Sequence, residues 1–150
     1  GSSVCVSGSV PVSVVSGISV SVSGSVSGSV SVAMVSLGTT FVSVISVMEL
    51  RMGILSLARK DERQADVLAH WLDNSVIPAF AGRILPIDLP VANQCAILHV
   101  PDPRSDRDAL IAATALTHGM TVATRNIKDF RATGVPLVNP WNSNLMELIV

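Results

Sequence analysis

Four polar residues stand where the sequence predicts that a strand ends or a helix begins: Glu49, Asp108, Asn126 and Asp129. In an open α/β sheet such positions meet at the carboxyl edge of the strands, where ligands bind. Carboxylates gathered at one edge repel each other, so the arrangement is costly unless a cation lies among them. Mg²⁺ or Mn²⁺ suits all-oxygen ligands and can activate water for hydrolysis of a phosphodiester. The pattern therefore favours a site for a hard divalent cation.

Asp108 also has an interpretation that needs no metal. An acid in the first turn of a helix is favourable for the helix dipole alone, and such acids are common. The residues that follow, 109–115, are small or apolar and must be packed. We therefore expect Asp108 to be half-buried, whichever role it has.

The elements that must position these residues follow from local patterns. Residues 40–47 are β-branched and alternating, which predicts a buried strand that continues into a helix from Met48 to about Arg59, with Glu49 at the junction. A helix is predicted over residues 61–76, with Pro78 and the Ala81-Gly82 pair marking its end. Further helices are predicted over 90–100 and, capped by Ser105 or Asp106, up to His118. Short strands are predicted over residues 84–87, 120–124 and 135–138, with a turn or short helix over 126–130. This alternation predicts a three-layer α/β/α fold with a central, mainly parallel sheet.

Residues 1–36 differ from the rest of the chain, since 31 of these 36 positions are Ser, Val or Gly. None of the 10 Lys+Arg and 11 Asp+Glu residues occurs before Glu49. The segment has three interpretations: period-2 strands of poorly specified register, a flexible linker, or a stretch that is not the natural sequence. We expect one domain spanning residues 1–150, in which this segment occupies the place of the first strand and helices.

Composition excludes several classes of protein. The net charge of −1 lacks the basic excess of a protein that binds nucleic acid by charge alone. Apolar residues reach 49%, yet serines interrupt every long apolar run, so no membrane span is expected. The two cysteines fit neither a disulfide framework nor a metal-ligand spacing, which favours a reducing, cytoplasmic location.

Four segments together carry a family resemblance that spans residues 37–141. RDALIAATALTHGMTVATRNIKDF at 107–130, followed by GVPLVNPW at 134–141, resembles the C-terminal half of PIN-domain ribonuclease toxins of the VapC type. FVSVISVMELRMGI at 41–54 resembles the second strand and following helix of this family, and FAGRILPID at 80–88 is similar to its middle segment.

The resemblance implies a compact α/β/α domain that cleaves RNA with Mg²⁺ or Mn²⁺, is silenced by a cognate antitoxin protein and forms a homodimer. It also implies a catalytic set of Glu49, Asp108, Asn126 and Asp129. Of these, Glu49, Asp108 and Asp129 match acidic metal ligands, and Asn126 stands where many relatives have an aspartate.

One feature of the family is missing from this chain. The family's first strand ends in an aspartate that ligates the metal, and the corresponding region, about residues 9–16, contains only Ser, Val and Pro. A serine brings no charge and is a weaker ligand for a divalent ion. Two functions therefore remain open: a metal-dependent endoribonuclease toxin, or a catalytically inactive module that binds an antitoxin or another partner protein.

The basic residues near the acidic edge have two interpretations as well. They are either contacts to RNA phosphates or solvated surface charges: Arg51, Arg104, Arg107 and Arg125. The three histidines share no spacing, and we assign them no catalytic role: His70, His99 and His118.

Overall fold

The computed structural model describes the backbone of residues 3–6 and 13–16, together with residues 40–124 and 126–139. Its strands are β1 Ser3–Val6, β2 Ser13–Ser16, β3 Thr40–Ser43, β4 Ile84–Leu85, β5 Thr121–Thr124 and β6 Leu137–Val138. Its helices are α1 Val44–Ala58, α2 Glu62–Trp71, α3 Ile77–Ala79, α4 Leu89–His99, α5 Asp106–Thr117 and α6 Ile127–Arg131. The predicted α/β class is confirmed, with most strands a few residues shorter than predicted.

The strands form one sheet in the order β4-β3-β2-β1-β5-β6, with β2 also pairing with β5. Strand β2 runs parallel to both β3 and β5, and β3–β4 and β5–β6 are parallel as well. Among the described strands, only β1 is antiparallel to its neighbours, β2 and β5. The predicted mainly parallel sheet is thus confirmed, and the carboxyl ends of β2, β3 and β5 lie at the same edge.

Two pieces of the serine- and valine-rich segment belong to this sheet. Of the three interpretations, the strand interpretation agrees with β1 and β2, which pair with Val4 opposite Val15. The other residues of segment 1–36 lie outside the described residues, and the proposal that the stretch is not the natural sequence stays a hypothesis.

Helix α1 begins earlier than the sequence predicts, at Val44 rather than Met48, so the strand predicted over residues 40–47 ends at Ser43. Ser43 is fully buried, and its Oγ accepts the backbone N–H of Ile45 at 3.2 Å, which caps the helix. Burial of Ile45 and Ser46 against the rest of the fold then outweighs the β propensity of residues 44–47. Glu49 consequently lies in the second turn of α1, and its predicted place at the strand–helix junction was wrong.

The helix predicted over residues 61–76 is also different in detail. It leaves α-helical geometry after Trp71, passes through a π-helical turn at Leu72–Val76 and continues as α3. Pro78 does not end it, since it lies in the first turn of α3, directly after the π-helical turn. Helix α3 ends at Ala79, and a turn follows in which Gly82 has a φ of 75°, in the left-handed region that glycine tolerates. The predicted stop at Ala81-Gly82 is thus confirmed.

The buried core has two main parts. One joins α1, α5, β5 and α6 and consists of Ile45, Ile111, Ala112, Ala115, Met120, Val122, Phe130 and Val135. The other lies between α1 and α2 and consists of Leu50, Ile54, Ala65, Leu72 and Val76, with Trp71 packed against it. Helix α1 contributes to both, so its position relative to the sheet is fixed from two sides. No helix among the described residues combines the length and apolarity needed to cross a bilayer.

Replacing Ser43 with Ala is expected to lower the free energy of unfolding by about 1 kcal/mol, because it removes the side-chain cap of α1. Urea denaturation measures this change. The exposed serine at position 56 on the same helix is the matched control, since Ser56→Ala removes no cap. Equal stabilities for the two variants would contradict the capping role of Ser43.

Candidate active site

Helix α5 carries Asp108 in its first turn, as predicted. The next residue, Ala109, is fully buried and packs against α4, so this turn is held firmly in the fold. Asp108 itself is half-buried, which confirms the expectation from sequence. Burial raises the pKa of its carboxyl group, and the nearby charge of Asp129 raises this pKa further.

A hydrogen bond from the Ser105 side chain acts in the opposite direction on the pKa of Asp108. Of the two residues that the sequence offers as the cap of α5, Ser105 and Asp106, it is Ser105 that occupies the N-cap position. Its side chain, however, bonds no backbone N–H of the helix. The spacing of three residues between Ser105 and Asp108 could have indicated this side-chain contact. The same spacing is also typical of a helix cap, so the sequence did not distinguish the two.

Glu49 reaches the same region from α1, which packs against α5. The residue is half-buried, and burial is the main cause of its raised pKa, with the charge of Asp108 adding to the effect. Arg107 opposes the increase in the pKa of both carboxyl groups. Two acids far apart in the sequence thus repel one another at one place in the fold.

The third acid follows β5. Buried Thr124 ends this strand, and its Oγ1 accepts the backbone N–H of Asn126 at 3.0 Å. Asn126 precedes α6, and its Nδ2 donates to the carboxylate of exposed Asp129. Asn126 therefore fixes the carboxylate whose charge acts on Asp108.

The central strand of this edge brings no acid. In β2, Ser16 lies opposite Thr124 of β5, and Val14 lies opposite Phe41 of β3. Strand β2 thus occupies the place between the strands that lead to Glu49 and to Asn126, and its last residue is a serine.

These residues fit a divalent cation in kind but not in number. Glu49 and Asp108 offer oxygen donors whose mutual repulsion a cation would relieve. Yet the described residues contain no group of three or more His, Cys, Asp or Glu placed closely enough to hold a metal ion. Water or substrate oxygens would have to complete the coordination of an ion bound here.

The arginines named from the sequence have separate environments. Both terminal nitrogens of Arg51 contact the carboxylate of Asp73, one of them at 3.1 Å. The Nε of Arg104 donates to the carbonyl of Leu98 at 2.8 Å. Arg107 is exposed beside the acids, and Arg125 lies outside the described residues.

The histidines contact residues other than these acids. His118 follows α5, and its Nδ1 lies 2.8 Å from the carbonyl of Thr114, at the helix C-terminus where the sequence placed it. The Nδ1 of His99 accepts the backbone N–H of Arg104 at 3.3 Å, and its Nε2 lies 3.6 Å from Asp106. These contacts serve helix and loop structure.

Comparison with known proteins identifies relatives over most of the chain. The PIN domain family model matches residues 21–135. The chain is 38% identical over 108 residues to VapC ribonuclease Y4jK of Sinorhizobium fredii, covering 69% of this chain and 76% of the relative. It is 40% identical over 107 residues to Toxin FitB of Neisseria gonorrhoeae, covering 68% of this chain and 76% of the toxin. Plasmid stability protein StbB of Pseudomonas syringae pv. tomato is 38% identical over 113 residues, or 72% of this chain and 80% of that protein.

Solved structures agree with these relatives. The crystal structure of FitAcB from Neisseria gonorrhoeae contains a chain of 40% sequence identity that superposes with a TM-score of 0.63, over 68% of this chain and 76% of that chain. The structure of FitAB bound to an IR36 DNA fragment gives a TM-score of 0.62 at 39% identity, over 68% and 73% of the two chains. Sequence and fold thus point the same way: this chain belongs to the PIN-domain family and, within it, to the VapC-type toxins.

Proposed function

We propose that this chain is a divalent-metal-dependent endoribonuclease and the toxin component of a toxin–antitoxin pair. The observation that carries the proposal is the packing of α1 and α6 against α5, which brings Glu49 near Asp108 and Asp108 near Asp129. The names of two relatives, a VapC ribonuclease and a toxin, support the same activity.

In this proposal Glu49, Asp108 and Asp129 would hold Mg²⁺ or Mn²⁺ together with water or substrate oxygens that complete the coordination. A cation held there would supply an activated water and would offset the negative charge of the phosphodiester. Ser105 holds the Asp108 carboxylate through its hydrogen bond, and Asn126 holds that of Asp129. Half-burial of Glu49 and Asp108 reduces their hydration, so their charges act more strongly on a bound ion or substrate.

The proposal is tested by incubating the purified chain with labelled RNA in Mn²⁺, in Mg²⁺ and in EDTA. Cleavage with either metal and none in EDTA is expected. Cleavage that continues undiminished in EDTA would refute the metal dependence, and no cleavage under any condition would refute the ribonuclease itself.

A second candidate is a catalytically inactive PIN module that binds an antitoxin or another partner protein. The specific observation in its favour is that β2, which pairs with both β3 and β5, ends in a serine and not in an acid. Calorimetric titration with Mn²⁺ separates the two candidates. A strong site that depends on Asp108 supports the enzyme, and absence of such a site supports the inactive module.

We also propose a cognate antitoxin as the protein partner and RNA as the substrate. One relative is a toxin, and the two solved structures similar to this chain are those of FitAcB and of FitAB bound to a DNA fragment. Assembly with a second protein is therefore a property of close relatives, and we extend it to this chain.

A homodimer is the remaining part of the proposal. Helix α1 presents a row of apolar side chains at helical spacing that stay between 38% and 61% exposed: Val44, Met48, Met52 and Leu55. An apolar row of this length on the outer face of a helix is typical of an interface. We propose that two copies of the chain meet through this face.

Replacing Met52 with Glu is expected to convert the dimer to a monomer, because it places a charge in the middle of the apolar row. Light scattering after size-exclusion chromatography gives the mass of each species. Val67, 68% exposed on α2, is the matched control, and Val67→Glu is expected to stay dimeric. A dimeric Met52→Glu variant would show that this face is not the interface.

A further inference from the structure

The acidic edge has a basic residue that the proposed reaction does not yet use. Arg107 lies in the first turn of α5, directly before Asp108, and is exposed. Its positive charge acts on both Glu49 and Asp108, since it opposes the increase in pKa of each. The guanidinium group therefore lies within electrostatic range of both half-buried acids.

The partners of the other nearby arginines set Arg107 apart. Arg51 is bonded through both terminal nitrogens to Asp73, and Arg104 donates to the carbonyl of Leu98. Within the described ranges, 40–124 and 126–139, the guanidinium of Arg107 takes part in no hydrogen bond or ion pair. The neighbouring acid on α5, Asp106, lies against His99 at 3.6 Å. The donors of Arg107 are thus available to a ligand.

An RNA substrate that binds at this acidic edge needs a positively charged side chain beside the metal ion. A phosphodiester approaching Glu49, Asp108 and Asp129 meets like charge, and a metal ion offsets only part of it. A guanidinium binds two phosphate oxygens at once through parallel N–H groups, which fixes orientation as well as position. We propose that Arg107 binds a backbone phosphate of single-stranded RNA and positions the strand on the acidic edge. This inference rests on the proposed ribonuclease function.

The contact is tested by RNA binding in EDTA, where metal-dependent cleavage cannot consume the probe. The full-length chain is titrated against a fluorescein-labelled, mixed-sequence single-stranded oligoribonucleotide, and anisotropy is followed at several salt concentrations. Arg107→Ala is expected to weaken binding about tenfold, the usual effect of losing one charge-assisted hydrogen-bonded contact. The slope of log K against log salt is expected to become shallower by about 0.7, the value for one phosphate contact on a single strand.

Two further variants exclude a general effect on charge or folding. Arg107→Lys keeps the charge, so it is expected to restore the salt slope while recovering only part of the affinity. Arg63, an exposed arginine on α2, is the matched control, and Arg63→Ala is expected to leave both quantities unchanged. A structural role for Arg107 would not move the salt slope.

The possible outcomes distinguish failure of the Arg107 contact from failure of the proposed ribonuclease function. If the wild-type chain binds and cleaves RNA but Arg107→Ala has the wild-type affinity and slope, the phosphate contact is refuted and the ribonuclease stands. An equal loss in Arg63→Ala and Arg107→Ala also refutes the contact. If the wild-type chain neither binds nor cleaves RNA, both the proposed function and the contact are refuted.

Discussion

Replacement of Asp108 by Asn is expected to lower metal-dependent RNA cleavage at least about 100-fold. Loss of groups that merely support metal ligands already costs 10- to 100-fold, and Asp108 is proposed to touch the ion itself. It is also the acid that interacts with both of the others, Glu49 and Asp129. Initial rates with labelled RNA in Mn²⁺, and Mn²⁺ affinity by calorimetry, measure the two parts of the effect.

This variant is not expected to lose stability. A carboxyl group whose pKa is raised by folding stabilises the fold least when it is ionised, so its contribution falls as the pH rises through the acid range. An asparagine carries no charge, so it avoids the unfavourable burial of an ionised carboxylate. The midpoint of thermal unfolding at neutral pH should therefore equal or exceed that of the wild type. Asp106→Asn, two residues away on an almost fully exposed side chain, is the matched control and should cleave normally. If Asp108→Asn cleaves RNA at the wild-type rate, the site assignment is wrong.

Replacement of Ser16 by Asp is expected to strengthen Mn²⁺ binding by about 10- to 100-fold and to raise the rate of RNA cleavage. Ser16 ends the strand that runs parallel between β3 and β5, opposite Thr124. A carboxylate at this position would add a charged oxygen donor to a set that falls short in number. Calorimetry with Mn²⁺ gives the affinity directly, independent of any RNA.

The same strand provides the control for position. Ser13 lies at the other end of β2, opposite Thr121, so Ser13→Asp adds the same charge away from the acidic edge. Ser16→Asn places a neutral side chain of similar size at the same position, so it tests whether Mn²⁺ binding needs the negative charge. Equal Mn²⁺ affinities for the wild type and Ser16→Asp, in a variant with normal thermal unfolding, would mean that the end of β2 does not face the metal site.

Much of the site could be predicted from single segments. Asp108 stands in an uninterrupted helical pattern beginning near Ser105, so its place in the first turn and its half-buried state followed from the pattern. Asn126 and Asp129 follow a short β-branched run, and both were correctly placed beyond the end of a strand. The position of Glu49 was wrong by more than one turn because the β-branched residues 44–47 favour a strand by propensity. The cap at Ser43 and burial on two sides of α1 override that propensity.

The sequence by itself determined the order of strands and helices, the α/β class, the family resemblance and the acids that carry it, because each depends on residue type and local period. Which groups meet was decided only by the tertiary structure. Packing of α1 against α5 brings Glu49 to Asp108, and pairing of β2 between β3 and β5 puts Ser16 at the acidic edge. Arg51 bonds Asp73 on another helix, and Arg104 bonds the carbonyl of Leu98 in the preceding helix. Among the described residues, no hydrogen bond or ion pair occupies the guanidinium of Arg107. Such contacts depend on three-dimensional packing, which local patterns do not encode.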